Sequence, residues 1–194
     1  MAYVQVNHDF IKFIDPELYA NVLEKKDDGD CILRLQLICE RFLSVYLKER
    51  IAPENIEFFT SGKGKGSEIL RHFNERLTTS VASGLPAELA RPLKHLNKIR
   101  NEFAHNLDYE IKNVDMSKYF ELVDAFKVDV GTPHGFEGPI KDFEIHADGK
   151  VTKAKDSFQA GFTAATYALM TKAGIWLAND LNNRGQLNLG GPLH

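Results

Sequence analysis

Arg100, Asn101 and His105 are the residues of this chain whose types and spacing could do chemistry. They sit in the run Leu96-Asn97-Lys98-Ile99-Arg100-Asn101-Glu102-Phe103-Ala104-His105-Asn106. Arginine carries a permanent charge on a planar fork that matches a phosphate, and histidine ordinarily titrates near neutrality. In a helix advancing about 100° per residue, Asn101 and His105 are one turn apart and share a face. Arg100 lies ~140° from His105 around the axis, so only its length could carry the guanidinium toward the imidazole. A fixed cation beside a titratable group is what cleavage or binding of a phosphodiester requires.

The elements that must position these residues follow from periodicity. Leu89, Leu93, Leu96, Ile99 and Phe103 form one apolar stripe, and Pro92 inside it predicts a short turn over 86–91 before a main helix from about Pro92. Asp15-Pro16-Glu17 reads as a helix start, with the helix running to about Lys26. Asp30 is expected to cap a long helix reaching Arg50, stopped by Pro53. Its apolar residues cover more than half of the circumference, which predicts a central or interfacial position and a homodimer. Ile69, Phe73, Leu77 and Val81 advance by four and predict a helix from Ser67. Asp115 is expected to cap a helix through Lys127, and Asp156 a final long helix striped by Phe158, Phe162, Ala165, Leu169 and Trp176. Between these two helices, 129–155 forms an insertion of Gly/Pro-rich loop followed by a hairpin over 143–153, where residues alternate around Asp148-Gly149. The expected architecture is one all-α domain over residues 1–194, an antiparallel bundle of about five helices with a small β-hairpin before the last.

The pattern Arg-Asn-x-x-x-His near the end of an amphipathic helix resembles the signature of the HEPN superfamily. The wider run LPAELARPLKHLNKIRNEFAHN is similar to chains grouped with the mannitol operon repressor. The likeness is specific over residues 85–107 and looser over 30–127. It implies a small all-α domain of a kind often found as a metal-independent endoribonuclease, toxin-like or defensive, working through a groove shared by two copies. In that reading His105 is the acid/base, Arg100 holds the scissile phosphate and Asn101 orients His105 or the nucleophile. The implied partners are RNA, a second copy, and an antitoxin or regulatory protein; no cofactor or metal is implied. The alternative is a non-catalytic regulatory or interaction protein resembling the mannitol operon repressor. A structural use also stays open: Arg100 pairing with Glu102, Asn101 capping a loop, and His105 closing the helix C-terminus.

Bulk properties narrow the classes. The 194 residues are 43% hydrophobic and 26% charged, with a formal net charge of −3. That balance argues against a broad basic nucleic-acid surface, so any RNA contact must be local. Lys63, Lys65 and Lys98 are the expected RNA-binding cations, with Lys94 and Arg71 able to join them. The loop from Ser61 to Ser67 lacks the Walker order, leaving an RNA-contact loop, a connector or a loose nucleotide cradle. Cys31 and Cys39 lie in an apolar helical pattern and read as buried reduced thiols. His72 and His95 read as surface or hydrogen-bonded residues, and His8, His134 and His146 are weaker candidates still. No zinc spacing, helix-turn-helix, leader or membrane span is recognisable, and a cytoplasmic protein is expected.

Overall fold

The computed structural model describes residues 12–24, 27–61, 68–69, 72–106, 109–128, 138–147 and 150–186. Among these residues seven α-helices dominate: α1 Pro16–Leu23, α2 Asp28–Arg50, the single turn α3 Ile56–Phe59, α4 Phe73–Ala82, α5 Ala87–His105, α6 Asn113–Ala125 and α7 Phe158–Asn183. Two short antiparallel pairings accompany them: β1 Thr60–Ser61 with β2 Glu68–Ile69, and β3 Glu144–Ala147 with β4 Lys150–Lys153. The fold is an all-α bundle with a β-hairpin insertion before the last helix.

Helix starts follow cap chemistry, shifted by a few residues from the sequence expectation. Asp15 accepts from the Glu17 amide at 3.0 Å, as expected. Asp27 rather than Asp30 caps α2, its carboxylate accepting from the Asp30 amide at 2.8 Å. Asp115 sits at the third position of α6 and reaches back to the Lys112 amide at 3.3 Å, while Ser157 rather than Asp156 caps α7. A carboxylate three residues into a helix satisfies orphan amides as well as one at the cap, so sequence alone leaves the boundary ambiguous.

Two expectations for helix extent are corrected. The helix expected from Ser67 begins at Phe73; Ile69 instead lies in β2, paired with Thr60. The other end of that series also departs from the core, for Val81 is exposed while Arg76 and Ser80 are buried beside Phe73 and Leu77. The break expected near Pro92 is absent: α5 runs unbroken from Ala87 to His105 with Pro92 buried inside it. Proline removes one backbone hydrogen bond. Burial of Leu89, Pro92, Leu93, Leu96 and Ile99 along one face offsets that loss.

Helices α2, α5, α6 and α7 form a closed ring of neighbours, with α4 over the α2/α5 edge and α1 over the α2/α7 edge. Helix direction can be read from the contacts. Gln36 meets Asn97 and Gly29 meets Phe103, so α2 and α5 are antiparallel. Cys31 meets Thr163 and Arg50 meets Asp180, so α2 and α7 run parallel. Met116 faces Gly161 and Tyr119 bonds Thr166, so α6 and α7 are parallel too. The end of α6 and the start of α7 therefore lie at opposite ends of the bundle, and the hairpin falls between them in sequence. The apolar circumference of α2 is used within the chain, against α1, α4, α5 and α7; Leu33 and Leu37 remain 38% and 48% exposed. Both cysteines are free and buried, and burial pushes the Cys31 thiol up to about 12 and Cys39 higher still. Among the described residues no helix is long and apolar enough to cross a membrane.

Candidate functional site

The site must be built on α5, whose core face is fixed by Leu89, Leu93, Leu96 and Ile99. The C-terminal end of that helix is held firmly. The Asn106 amide donates to the Glu102 carbonyl at 2.9 Å, closing the last turn. Phe103 lies against Gly29 at the start of α2 and meets Tyr109 edge-on at 5.0 Å. Tyr109 in turn donates its hydroxyl to Asp115 at 3.1 Å. Burial, and then the Asp115 carboxylate, push the Tyr109 hydroxyl up to about 12, so it remains a donor at any ordinary pH. The chain reversal after the motif is thus pinned at both ends.

On this scaffold the motif residues divide. Arg100 is half-buried and donates from Nη1 to Asn101 Oδ1 at 3.2 Å. His105 is exposed on the last helical residue and makes no hydrogen bond or ion pair among the described residues. Arg100 and Asn101 are brought together; His105 stands on the solvent face one turn beyond Asn101. Asn101 Oδ1 accepts from Arg100, and no hydrogen bond joins Asn101 to His105 among the described residues. The purely structural pairings are not formed either: Arg100 has no carboxylate partner among the described residues, and His105 does not bond the terminal carbonyls.

Lys98 is exposed on α5, one residue beyond a buried asparagine. Lys63, Lys65 and Arg71 lie outside the described residues, as do His8 and His134. His95 Nε2 bonds the Asp115 carbonyl oxygen at 2.9 Å and its ring stacks near Tyr119, whereas His72 is the exposed cap of α4. His146 is on the hairpin, 4.0 Å from Glu144. A cavity of about 900 Å³ opens between α1, the hairpin and α7, lined by Tyr19, Phe143, His146 and Tyr167, with no motif residue in its wall.

Sequence reasoning missed a buried polar seam behind the motif. Gln36 Nε2 donates to Asn97 Oδ1 at 3.0 Å and, more weakly, to Glu40 Oε1 at 3.5 Å. Asn97 Nδ2 donates to Asn74 Oδ1 at 3.0 Å. Arg76 Nη1 donates to Ser44 Oγ at 3.2 Å and lies 3.7 Å from Glu40 Oε2. Gln36, Asn97 and Arg76 are only 4–6% exposed. The seam therefore locks the register of α5 against α2 and α4, since buried polar groups are costly unless matched. Asn97 is one turn before Asn101, so this lock also fixes where Arg100 and Asn101 emerge. The visible signal was Gln36, Glu40 and Ser44 at four-residue spacing, interleaved with the apolar positions of α2.

Chemically, one chain supplies a fixed cation, a neutral amide and a solvent-accessible imidazole at the end of a rigid helix. Among the described residues no group of three His, Cys, Asp or Glu could hold a metal ion. Compared with family models, curated proteins and solved structures, the chain matches none.

Proposed function

We propose that this protein is a metal-independent endoribonuclease whose site is completed by a second copy. The observation that carries the reading is the state of the motif. Arg100 is half-buried with only the neutral Asn101 as partner, and His105 is exposed and uncommitted among the described residues. A guanidinium kept partly from water without a carboxylate has its charge available for a phosphate.

Cleavage of RNA by this route needs two proton carriers. One imidazole takes the proton of the 2′-hydroxyl as its oxygen attacks the adjacent phosphorus. A second gives a proton to the departing 5′-oxygen, leaving a 2′,3′-cyclic phosphate and a 5′-hydroxyl. One motif histidine per chain cannot do both in the same step, and two copies related by a two-fold axis supply two. Arg100 then balances the charge on the phosphorane. A toxin or defence role accords with the HEPN resemblance.

The test is the chemistry of the products. Wild-type protein incubated with a mixed-sequence RNA in EDTA should yield 2′,3′-cyclic phosphate ends, and Arg100→Lys should cleave poorly because lysine lacks the planar fork. Cleavage that stops in EDTA and returns with Mg²⁺ overturns the metal-independent mechanism. A clean monomer by sedimentation at micromolar concentration overturns the shared site. RNA binding with no cleavage under either condition leaves the regulatory alternative.

A further inference from the structure

The unbroken course of α5 through Pro92 places Arg91 on the same helix as the motif. Arg91, Lys94, Lys98, Asn101 and His105 then follow at intervals of three, four, three and four residues. At about 100° per residue they fall within one stripe ~80° wide, and at 1.5 Å per residue the stripe is ~21 Å long. Arg91, Lys94, Lys98 and His105 are exposed, with Asn101 half-buried at the edge. Lys94 and Lys98 make no ion pair among the described residues. Arg91 lies 3.8 Å from Glu88, a pair exposed on both sides and so weak and readily screened. In a chain of net charge −3 this run of cations is not a reflection of overall composition.

We propose that this stripe is a track for the sugar-phosphate backbone of single-stranded RNA, leading the strand along α5 to His105. The partner follows from what the face lacks. Interfaces with other proteins centre on buried apolar or aromatic anchors, and the exposed positions here are Ala87, Glu88, Arg91, Lys94, Lys98, Glu102 and His105, with no large apolar or aromatic side chain among them. Cations on flexible stems, spaced ~4.5 and ~6 Å apart along the axis from Arg91 to Lys98, suit a chain of phosphates rather than a shaped surface. The acids bound the track: Glu88 and Glu102 lie along one edge, and Asp28 and Asp30 stand at the start of α2, near the end of α5. The track deepens the ribonuclease reading through its substrate, but it concerns binding and can be tested without cleavage.

Each phosphate neutralised on a single strand contributes about −0.7 to the slope of log affinity against log salt. The experiment measures that slope by fluorescence anisotropy with a labelled 2′-O-methyl RNA, which has no 2′-hydroxyl to attack and so stays intact with the wild-type chain. The triple variant Arg91→Gln, Lys94→Gln, Lys98→Gln should reduce the slope by ~2. A control triple, Lys118→Gln, Lys141→Gln, Lys153→Gln, removes the same charge from exposed positions off this helix and should leave the slope near wild type. Circular dichroism should show unchanged helicity in both. No change in the stripe triple, an equal change in both triples, or no RNA binding by wild type at low salt each overturns the track. Equal affinity for a polyglutamate peptide overturns RNA as its ligand. Binding through the stripe by a wild type that cleaves nothing removes the nuclease and keeps the track; cleavage unaffected by the stripe triple, with its slope unchanged, does the reverse.

Discussion

Replacing Asn97 by leucine should destabilise the bundle although it swaps a polar core residue for an apolar one. Asn97 Oδ1 is the 3.0 Å acceptor of Gln36 Nε2, and both residues are almost fully buried. Its own amide donates to Asn74, which is exposed and would turn to water at little cost. The loss is therefore concentrated on Gln36. One net hydrogen bond contributes about 1 kcal/mol, and a buried donor left with a single long partner costs about 1–2 kcal/mol more. The sum is about 2–3 kcal/mol, or roughly 4–12 °C in Tm for a chain of this size. Gln36→Leu should cost a similar amount by orphaning the Asn97 carbonyl oxygen. The double variant should cost less than the two singles together by about 1–2 kcal/mol, since no buried polar atom is then left facing leucine. Urea unfolding followed by circular dichroism measures all three. Strict additivity, or a loss below about 0.5 kcal/mol for Asn97→Leu, would refute the seam as a lock on α5.

Three further outcomes follow from the packing. Gly161→Ala should destabilise by about 1–3 kcal/mol in thermal or urea unfolding despite better helix propensity. Its new methyl would lie 2.6 Å from both the Ala154 carbonyl oxygen and Met116 Sδ. Replacing residues 145–152 with a short Gly/Ser turn should leave the melting transition nearly unchanged, because the exposed hairpin adds little to the core. Ile140→Ala, just outside the hairpin, should cost about 2–4 kcal/mol because Ile140 is buried where the insertion meets α6 and α7. Finally, the buried thiols make the fold sensitive to alkali. Cys31 keeps its proton up to about 12 in the native state, whereas the unfolded chain releases it near 9.0. The stability this group contributes is complete below pH 9 and is lost as pH rises toward 12. Between pH 8 and pH 10.5, wild type should therefore lose more unfolding free energy than Cys31→Ala.

The parts of this fold legible in the sequence are those set by local rules. The cap at Asp15, the hairpin register around Asp148-Gly149 and the apolar stripe of α5 each depend on residues close together in the sequence. What escaped depends on partners far along the chain. Pro92 is tolerated because the leucines on either side of it are buried by other helices, which no propensity encodes. Ile69 fitted a four-residue series by spacing alone and pairs instead with Thr60. Gln36 and Asn97 are 61 positions apart, so their match could not be read from either neighbourhood. The parallel course of α6 and α7 rests on contacts such as Tyr119 with Thr166, 47 positions apart, and not on periodicity. The broad apolar surface of α2 left a central and an interfacial position both open, and most of it is used by helices of its own chain. At the candidate site, the place of His105 at the end of an amphipathic helix was legible from periodicity. The turn of Arg100 toward Asn101, and the continuation of the cationic stripe back to Arg91, required the structure.

The central claim is that His105 moves a proton during cleavage. The direct measurement is the cleavage rate of a mixed-sequence RNA in EDTA by wild type and His105→Ala, with helicity and sedimentation recorded on the same preparations. The residue is exposed and without partners among the described residues, so the variant should keep its helicity, its melting transition and its oligomeric state. Its rate should fall by about 10²–10⁴-fold, the range expected for loss of a general acid or base. A His105→Ala protein that still cleaves within a few-fold of wild type, or a wild type that cleaves no RNA, would contradict the account.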